Sequence, residues 1–242
     1  MYQTKNNQSG QGGFAGIIFD FNGTLFWDTP MHIQAWKMIS KKLRSTPFSQ
    51  KEIRENILGS TNALILAYAL GREPSKDEIQ AVTQDKEQTY RNICLENPQA
   101  FQLAPGATEL LDRLAQRNIP FTIATSSEKT NVDFYFENLP LKKWFTKDKI
   151  VYDDGTIKRG KPYGDIYQKA CDLLEVRPEN TIVFEDAQNG MIAANRAKIG
   201  WIVGVLSKGS PGFDESYTNQ VIRDFADFSL DRFFEPLPPL AG

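Results

Sequence analysis

Four short apolar runs recur along the chain, and each predicts a β-strand that is buried on both faces. They lie at residues 16–21, 121–126, 181–186 and 201–206. Their apolar character is continuous rather than alternating, which is typical of parallel strands covered by helices on both sides. Amphipathic helical patterns lie between the strands, at residues 106–118, 164–175 and 190–200. This alternation predicts an α/β fold with a doubly wound, Rossmann-like parallel sheet as its core, and Gly200 suits the C-cap of the last helix.

The segment from residue 29 to residue 104 breaks this alternation, because its apolar spacing is helical throughout. Pro30 suits the first turn of one helix, and Ser75 with Glu78 has the spacing of a capping box at the start of another. We therefore predict an inserted helical cap domain at residues 29–104. The core domain is expected at 14–28 and 105–235, with a disordered N-terminal tail at 1–13 and a C-terminal tail at 236–242.

Composition narrows the classes of function. The 242 residues carry a formal net charge of −2, which gives no reason to expect a nucleic-acid or membrane partner. No apolar run approaches the roughly 20 residues that span a bilayer, and the first residues lack the apolar core of a signal peptide. Cys94 and Cys171 lie far apart without metal-ligand spacing, so we expect reduced, buried cysteines and a cytoplasmic protein.

Polar residues end three of the predicted strands, at the edge where open parallel sheets bind ligands. They are Asp20, Thr125, Ser126, Glu185 and Asp186. Any one of them alone could cap a helix or occupy a loop, but chance does not readily place suitable groups at three strand ends. Lys161 stands before a proline ahead of the next helix, and its charge could screen the repulsion between a carboxylate and an anionic substrate.

These residues lie in four segments that resemble the motifs of the haloacid dehalogenase (HAD) superfamily. The segments are DFNGTL at 20–25, FTIATS at 121–126, GKPYGDIY at 160–167 and VFEDAQNGMIAA at 183–194. They occur in the family's order, and the resemblance extends from residue 14 to about residue 234. Within the superfamily, the chain is similar to the helical-cap subgroup that contains the β-phosphoglucomutases and sugar-phosphate phosphatases.

The resemblance implies a nucleophile and a metal site. Asp20 would attack phosphorus and carry a transient aspartyl-phosphate. Mg²⁺ would be bound by Asp20, the backbone carbonyl of Asn22 and Asp186, with Glu185 bound directly or through water, because it prefers hard oxygen ligands. The metal would neutralise phosphate charge and orient the group for in-line attack.

The resemblance also implies a set of groups around the phosphate. The Thr125 hydroxyl and the Ser126 backbone N–H would hold phosphate oxygens, and Lys161 would bind the same group. Gly23 would let the backbone pass close to the phosphoryl group. Thr24 would fix the motif loop by hydrogen bonding.

Two residues of the predicted cap are candidates for substrate contact. His32 is the only histidine, and a histidine often occupies this place in the capped subgroup, where it could act as a substitute proton donor. Lys86 loosely matches a second cap cation. Asn62 lies where β-phosphoglucomutases carry an arginine that binds a second phosphate, and this difference weakens a mutase interpretation.

Asn22 departs from the family pattern, which has aspartate at this place. That aspartate gives a proton to the leaving oxygen and later takes one from water, which is typically worth about 10²–10⁴ in rate. An amide can hydrogen-bond to the same oxygen but cannot shuttle a proton. The substitution Asn22→Asp is therefore expected to raise the turnover of esters with poor leaving groups.

The preferred hypothesis is a Mg²⁺-dependent phosphatase that hydrolyses a small phosphorylated metabolite, such as a sugar phosphate, through an aspartyl-phosphate. Three alternatives stay open: a β-phosphoglucomutase-like phosphomutase, another HAD chemistry such as phosphonate cleavage, and a weakly active phosphate-binding protein. Asn22 favours the last of these, whereas Asp20, Lys161 and Asp186 favour catalysis. No lysine clearly occupies the place of the Schiff-base lysine of the phosphonate enzymes.

Overall fold

A single parallel sheet organises the fold. The computed structural model describes residues 13–58, 60–207, 210 and 212–235. Within these ranges six strands pair in the order β3-β2-β1-β4-β5-β6. The strands are β1 (Gly16–Phe19), β2 (Phe121–Glu128), β3 (Val151–Asp153), β4 (Thr181–Glu185), β5 (Trp201–Val205) and β6 (Gln220–Ile222). The two expected tails lie outside the described residues, apart from Gly13.

Helices connect the strands, and the described ranges contain eight α-helices. They are α1 (Thr29–Arg44), α2 (Gln50–Glu52), α3 (Asn62–Leu70), α4 (Lys76–Glu96), α5 (Ala107–Gln116), α6 (Lys129–Asn138), α7 (Asp165–Leu174) and α8 (Gln188–Arg196). A π-helical segment at Ile53–Ile57 continues α2. The first five helices lie between β1 and β2, α6 lies between β2 and β3, α7 between β3 and β4, and α8 between β4 and β5.

The central strand β1 is buried on both faces, as its apolar run predicts. Ile17 and Phe19 belong to one apolar cluster, which includes the leucines of α5. Ile18 points to the other face and joins a cluster formed with α7 and α8. Helices therefore cover both faces of a parallel sheet, which confirms the predicted doubly wound α/β core.

Helix α1, the π-helical segment and α3 form a third apolar cluster of their own, which includes Trp36 and Ile39 of α1. The capping box that opens α4 is present, with Ser75 and Glu78 bonded to each other's backbone N–H groups. The two connections to the sheet run together, because the Ala104 N–H donates to the Leu25 carbonyl at 2.8 Å. The division into a core and a cap domain stays a prediction.

Two details differ from the sequence prediction. Helix α8 ends at Arg196, so Gly200 is not its C-cap. Gly200 is required for another reason, since a Cβ there would overlap the Glu179 backbone carbonyl. The short strands β3 and β6 were not predicted.

Cys94 and Cys171 are free and buried, as expected. In the described part of the chain, none of the helices combines the length and apolar character that a membrane crossing needs.

Candidate active site

The polar residues predicted at strand ends meet at one edge of the sheet. β1 and β4 lie side by side where the strand order reverses, so Asp20, which follows β1, lies near the end of β4. Such a reversal is where open α/β sheets bind their ligands. A pocket of about 430 Å³ opens here, which is a typical size for a small-molecule site. Its sheet side is named the strand-end wall and is formed by Asp20, Asn22, Thr125, Lys161, Glu185 and Asp186.

Three buried carboxylates crowd together in the strand-end wall. One oxygen each from Asp20, Glu185 and Asp186 lie within 4.8 Å of one another. Burial and the charge of Glu185 raise the pKa of Asp20 to about 7, and they raise the pKa of Asp186 well above its usual range. The Lys161 ammonium donates to Asp20 Oδ1 at 2.5 Å and to Glu185 Oε2 at 2.7 Å. The single positive charge of Lys161 does not neutralise three carboxylates, so the negative charge of the cluster favours binding of a cation.

Local backbone geometry keeps these carboxylates in place. Gly23 has a φ of +81°, and a Cβ there would overlap the carboxylate of Asp186. The Thr24 hydroxyl donates to the same carboxylate at 3.2 Å. On the other side, a Cβ at Gly190 would overlap the carboxylate of Glu185. Two glycines therefore leave the room that two of the acids occupy.

The chemistry of this donor set fits Mg²⁺. Carboxylate oxygens are the ligands that this hard cation prefers, and three of them converge at Asp20, Glu185 and Asp186. The backbone carbonyl of Asn22 accepts no hydrogen bond from the described residues, so it is available as a further oxygen donor. The Tyr167 hydroxyl donates to Glu185 and so holds that carboxylate from behind.

The Asn22 side chain is hydrogen-bonded at both ends. Its amide nitrogen donates to Asp28 Oδ2 at 2.5 Å and to the Tyr135 hydroxyl at 2.8 Å. Its amide oxygen accepts from the Ser127 hydroxyl at 2.6 Å and from the Thr125 hydroxyl at 3.3 Å. The family pattern has a carboxylate at position 22. In this chain the carboxylate at this place belongs to Asp28, six residues later, and it accepts a hydrogen bond from the Asn22 amide.

Asp28 is a buried anion with many donors. It accepts from the Gly23 N–H at 3.0 Å and from the Tyr90 hydroxyl at 2.5 Å. His32 Nε2 lies 3.2 Å from its Oδ2. Burial acts to raise the pKa of Asp28, but His32 and the hydroxyl of Tyr90 outweigh it and hold the pKa below its usual value. Lys86 Nζ, which can only donate, lies 2.8 Å from His32 Nδ1, so both ring nitrogens are engaged.

The opposite side of the pocket comes from the helices between β1 and β2. It is named the helix wall and is formed by His32, Asn62, Thr83 and Glu87. Glu87 is only 7% exposed and pairs with Lys86 at 2.8 Å. Asn131 of α6 also lines the pocket and donates to Glu87 at 2.8 Å.

The pocket gathers most of the residues that the sequence singled out. Eight of the predicted site residues line it, namely Asp20, Asn22, His32, Thr125, Ser126, Lys161, Glu185 and Asp186. Gly23 and Thr24 lie just behind the strand-end wall. Lys86 is 3% exposed and is not among the described residues that line the pocket, because Glu87 and His32 hold it in the interior. The sequence analysis missed Asp28, Glu87, Ser127, Asn131, Tyr135 and Tyr167.

This fold and site define a hydrolase of the HAD type. The family model of haloacid dehalogenase-like hydrolases matches residues 14–198. The chain therefore belongs to the haloacid dehalogenase-like hydrolases, and the predicted enzyme class is confirmed.

Individual relatives agree with this assignment. A phosphorylated carbohydrates phosphatase from Thermotoga maritima is 28% identical over 194 residues, which are 78% of this chain and 84% of the relative. The β-phosphoglucomutase of Bacillus subtilis is 27% identical, with 90% of this chain and 93% of the relative covered. A crystal structure of a HAD hydrolase of family IA, variant 3, from Entamoeba histolytica is 34% identical. It superposes with a TM-score of 0.83 and covers 90% of this chain and 96% of that chain.

Proposed function

We propose that the protein is a Mg²⁺-dependent phosphatase that hydrolyses a small phosphorylated carbohydrate through an aspartyl-phosphate. The observation that carries the proposal is the convergence of Asp20, Glu185, Asp186 and Lys161 at the reversal of the sheet. The similarity to a phosphatase of phosphorylated carbohydrates supports this choice of substrate.

In the first step a carboxylate oxygen of Asp20 forms a bond to phosphorus, and the bond from phosphorus to the ester oxygen breaks. The departing alkoxide takes a proton from water. In the second step water attacks the phosphorus of the aspartyl-phosphate, loses a proton to solvent, and releases inorganic phosphate with the Asp20 carboxylate restored.

Other residues of the strand-end wall would bind and orient the phosphate. Lys161 would offset its charge, and Thr125 with Ser126 would donate hydrogen bonds to its oxygens. Asp20, Glu185, Asp186 and the Asn22 carbonyl would hold Mg²⁺. When bound, the cation would supply positive charge next to the phosphate oxygens.

Asn22 favours a second candidate, a phosphate-binding protein with weak turnover. All of its side-chain hydrogen bonds are directed to neighbouring residues, and an amide cannot carry a proton to a leaving group. The two candidates therefore differ in the rate of ester hydrolysis, whereas both have the same phosphate and metal site.

The test is turnover of p-nitrophenyl phosphate and a panel of sugar monophosphates, with Mg²⁺ and with a chelator. We expect hydrolysis that requires Mg²⁺, and Asp186→Asn should weaken Mg²⁺ affinity in calorimetry much more than it lowers the melting temperature. Activity that survives complete removal of Mg²⁺ would contradict the metal assignment. Binding of inorganic phosphate without turnover of any ester would favour the second candidate.

Residues 29–104 are proposed to act as a cap that closes over residues 20–26. The linkers near residues 26–30 and 103–106 would serve as the hinges, and their pairing through Leu25 and Ala104 supports this role. Closure would exclude water from the pocket. Small-angle scattering should show compaction when Mg²⁺ and a fluoride-based phosphate mimic are added, and an unchanged profile would count against closure.

A further inference from the structure

The helix wall contains a carboxylate, Glu87, that the proposed mechanism does not use. Glu87 lies on α4, is 7% exposed, and lines the same pocket as the acids of the strand-end wall. A buried charge is costly unless it is paired, so its position calls for an explanation.

Glu87 is held rigidly as an anion. Its Oε1 accepts from Lys86 at 2.8 Å and from Asn62 at 3.4 Å. Its Oε2 accepts from Asn131 at 2.8 Å. Burial acts to raise the pKa of Glu87, but Lys86 and His32 outweigh it and hold the pKa below its usual value.

The pairing removes Lys86 as a ligand for phosphate. Its ammonium is buried between Glu87 and His32, away from the pocket surface. Among the described residues that line the pocket, Lys161 is the one lysine and there is no arginine, whereas six are acidic. Lys161 is itself engaged by Asp20 and Glu185. A second anionic group on the substrate would therefore face Glu87 with no cation to receive it.

The same wall suits an uncharged hydroxyl. A carboxylate has about four acceptor sites, and the described contacts use three of those on Glu87. Asn62 and Asn131 each have an amide N–H beyond the one that donates to Glu87. A hydroxyl both donates and accepts, so it can bond to the carboxylate and to a neighbouring amide together.

From these contacts we infer that Glu87 is a specificity-determining residue. It selects phosphomonoesters whose remaining part is an uncharged polyol, and it rejects molecules that carry a second phosphate. The inference rests on the proposed phosphatase function for its phosphate site, and it deepens that function by naming the class of substrate.

The experiment compares two inhibitors of p-nitrophenyl phosphate turnover by the full chain with Mg²⁺. Glucose 6-phosphate carries one phosphate, and glucose 1,6-bisphosphate carries two on the same ring. For the wild type, the inhibition constant should be at least tenfold higher for the bisphosphate. Glu87→Gln, which keeps the shape and removes the charge, should lower that ratio about tenfold or more, because Lys86 then becomes available to the second phosphate.

Glu96→Gln is the matched control, because it removes the same charge from an exposed position on the same helix. Glu96→Gln should leave the ratio of the two inhibition constants within twofold of the wild-type ratio. If loss of the partner of Lys86 prevents folding, Thr83→Asp provides a second variant that keeps the Lys86–Glu87 pair, because Thr83 lines the helix wall and, among the described contacts, makes no side-chain hydrogen bond to Glu87. Its added carboxylate on the helix wall should raise the ratio severalfold.

A wild-type ratio near or below one would overturn the inference, and so would equal ratios for Glu87→Gln and Glu96→Gln. If neither p-nitrophenyl phosphate nor any sugar monophosphate of the panel is hydrolysed, the proposed function fails by itself. The ratio of dissociation constants for the two glucose phosphates, measured by calorimetry with Mg²⁺, then still tests Glu87.

Discussion

The two walls of the pocket are built in different ways. The strand-end wall takes its charged groups from the ends of paired strands and from loops, and these carboxylates are held by hydrogen bonds from backbone N–H groups, Thr24 and Lys161. The helix wall is built from helices, and Asn62 of α3 donates a hydrogen bond to Glu87 of α4. We therefore propose a division of roles, in which the strand-end wall is the reaction centre and single side chains of the helix wall set specificity.

The largest effect is expected from Asp20→Asn on the strand-end wall. Loss of the nucleophile should lower kcat by about 10⁴-fold or more, because an amide cannot form the phosphorylated intermediate. The fold should be retained, since removal of one crowded carboxylate relieves repulsion. The measurement is kcat together with the melting temperature. Activity above a few per cent of wild type would refute Asp20 as nucleophile.

A smaller effect is expected where the two walls meet, at Asn22. Asn22→Asp alone would set two carboxylates about as close as Asn22 Nδ2 and Asp28 Oδ2 are now, at 2.5 Å. The single variant should therefore be less stable by about 2 kcal/mol. The contact with Asp28 also changes the expectation from the sequence, so that we now predict no gain in the hydrolysis of alkyl phosphates.

The double variant Asn22→Asp/Asp28→Asn exchanges the two groups and removes the repulsion. It should raise kcat for sugar phosphates about tenfold over wild type, with little change for p-nitrophenyl phosphate, whose leaving group needs no acid. An equal gain in the single variant would show that Asp28 does not constrain position 22.

The third prediction concerns the space behind Glu185. Gly190→Ala should displace the Glu185 carboxylate and weaken Mg²⁺ affinity about tenfold in calorimetry, because a second-layer change of this kind typically costs 10–100-fold. Gly160→Ala is the matched control, since a Cβ there meets no atom within 4 Å. Equal Mg²⁺ affinities in the two variants would mean that Glu185 is not a ligand.

The smallest effect is the pH dependence of stability without Mg²⁺. The pKa of Asp20 is raised from 3.8 to about 7, so the folded state binds this proton more tightly than the unfolded chain. Its contribution to stability is fully present below about pH 4 and is lost as pH rises towards 7.

The melting temperature of wild type relative to Asp20→Asn should therefore fall by several °C between about pH 4 and about pH 8 in a chelator. Saturating Mg²⁺ should remove most of that fall. A difference that is independent of pH would contradict the raised pKa.

The strand-end wall could be predicted from the sequence because all of its residues except Lys161 follow an apolar run that is buried for local reasons. The positions of Asp20, Thr125 and Asp186 follow from the order of the motifs and from the rule that open parallel sheets bind ligands at the carboxyl ends of their strands. Ser127 was missed because β2 continues to Glu128, beyond the polar residues that usually end a strand. The three-residue strands β3 and β6 are too short to give a periodic signal.

The helix wall could not be predicted in the same way. Glu87 and Lys86 look like a solvated pair on an amphipathic helix, and only the packing of α4 against its neighbours buries them. Asp28 stands directly before α1, where an aspartate usually caps a helix, yet its side chain makes no capping bond. The surroundings of Asp28 and of the Lys86–Glu87 pair are therefore set by contacts with residues that are distant in the sequence.

The bond between Asn22 and Asp28 also has an evolutionary consequence. A lineage with this pair cannot regain the aspartate at position 22 by one substitution without passing through a form that holds two facing carboxylates. We therefore expect the effect of a substitution at one of these positions to depend on the residue at the other. We expect close homologues to carry amide at 22 with acid at 28, or acid at 22 with an uncharged residue at 28, and rarely acid at both.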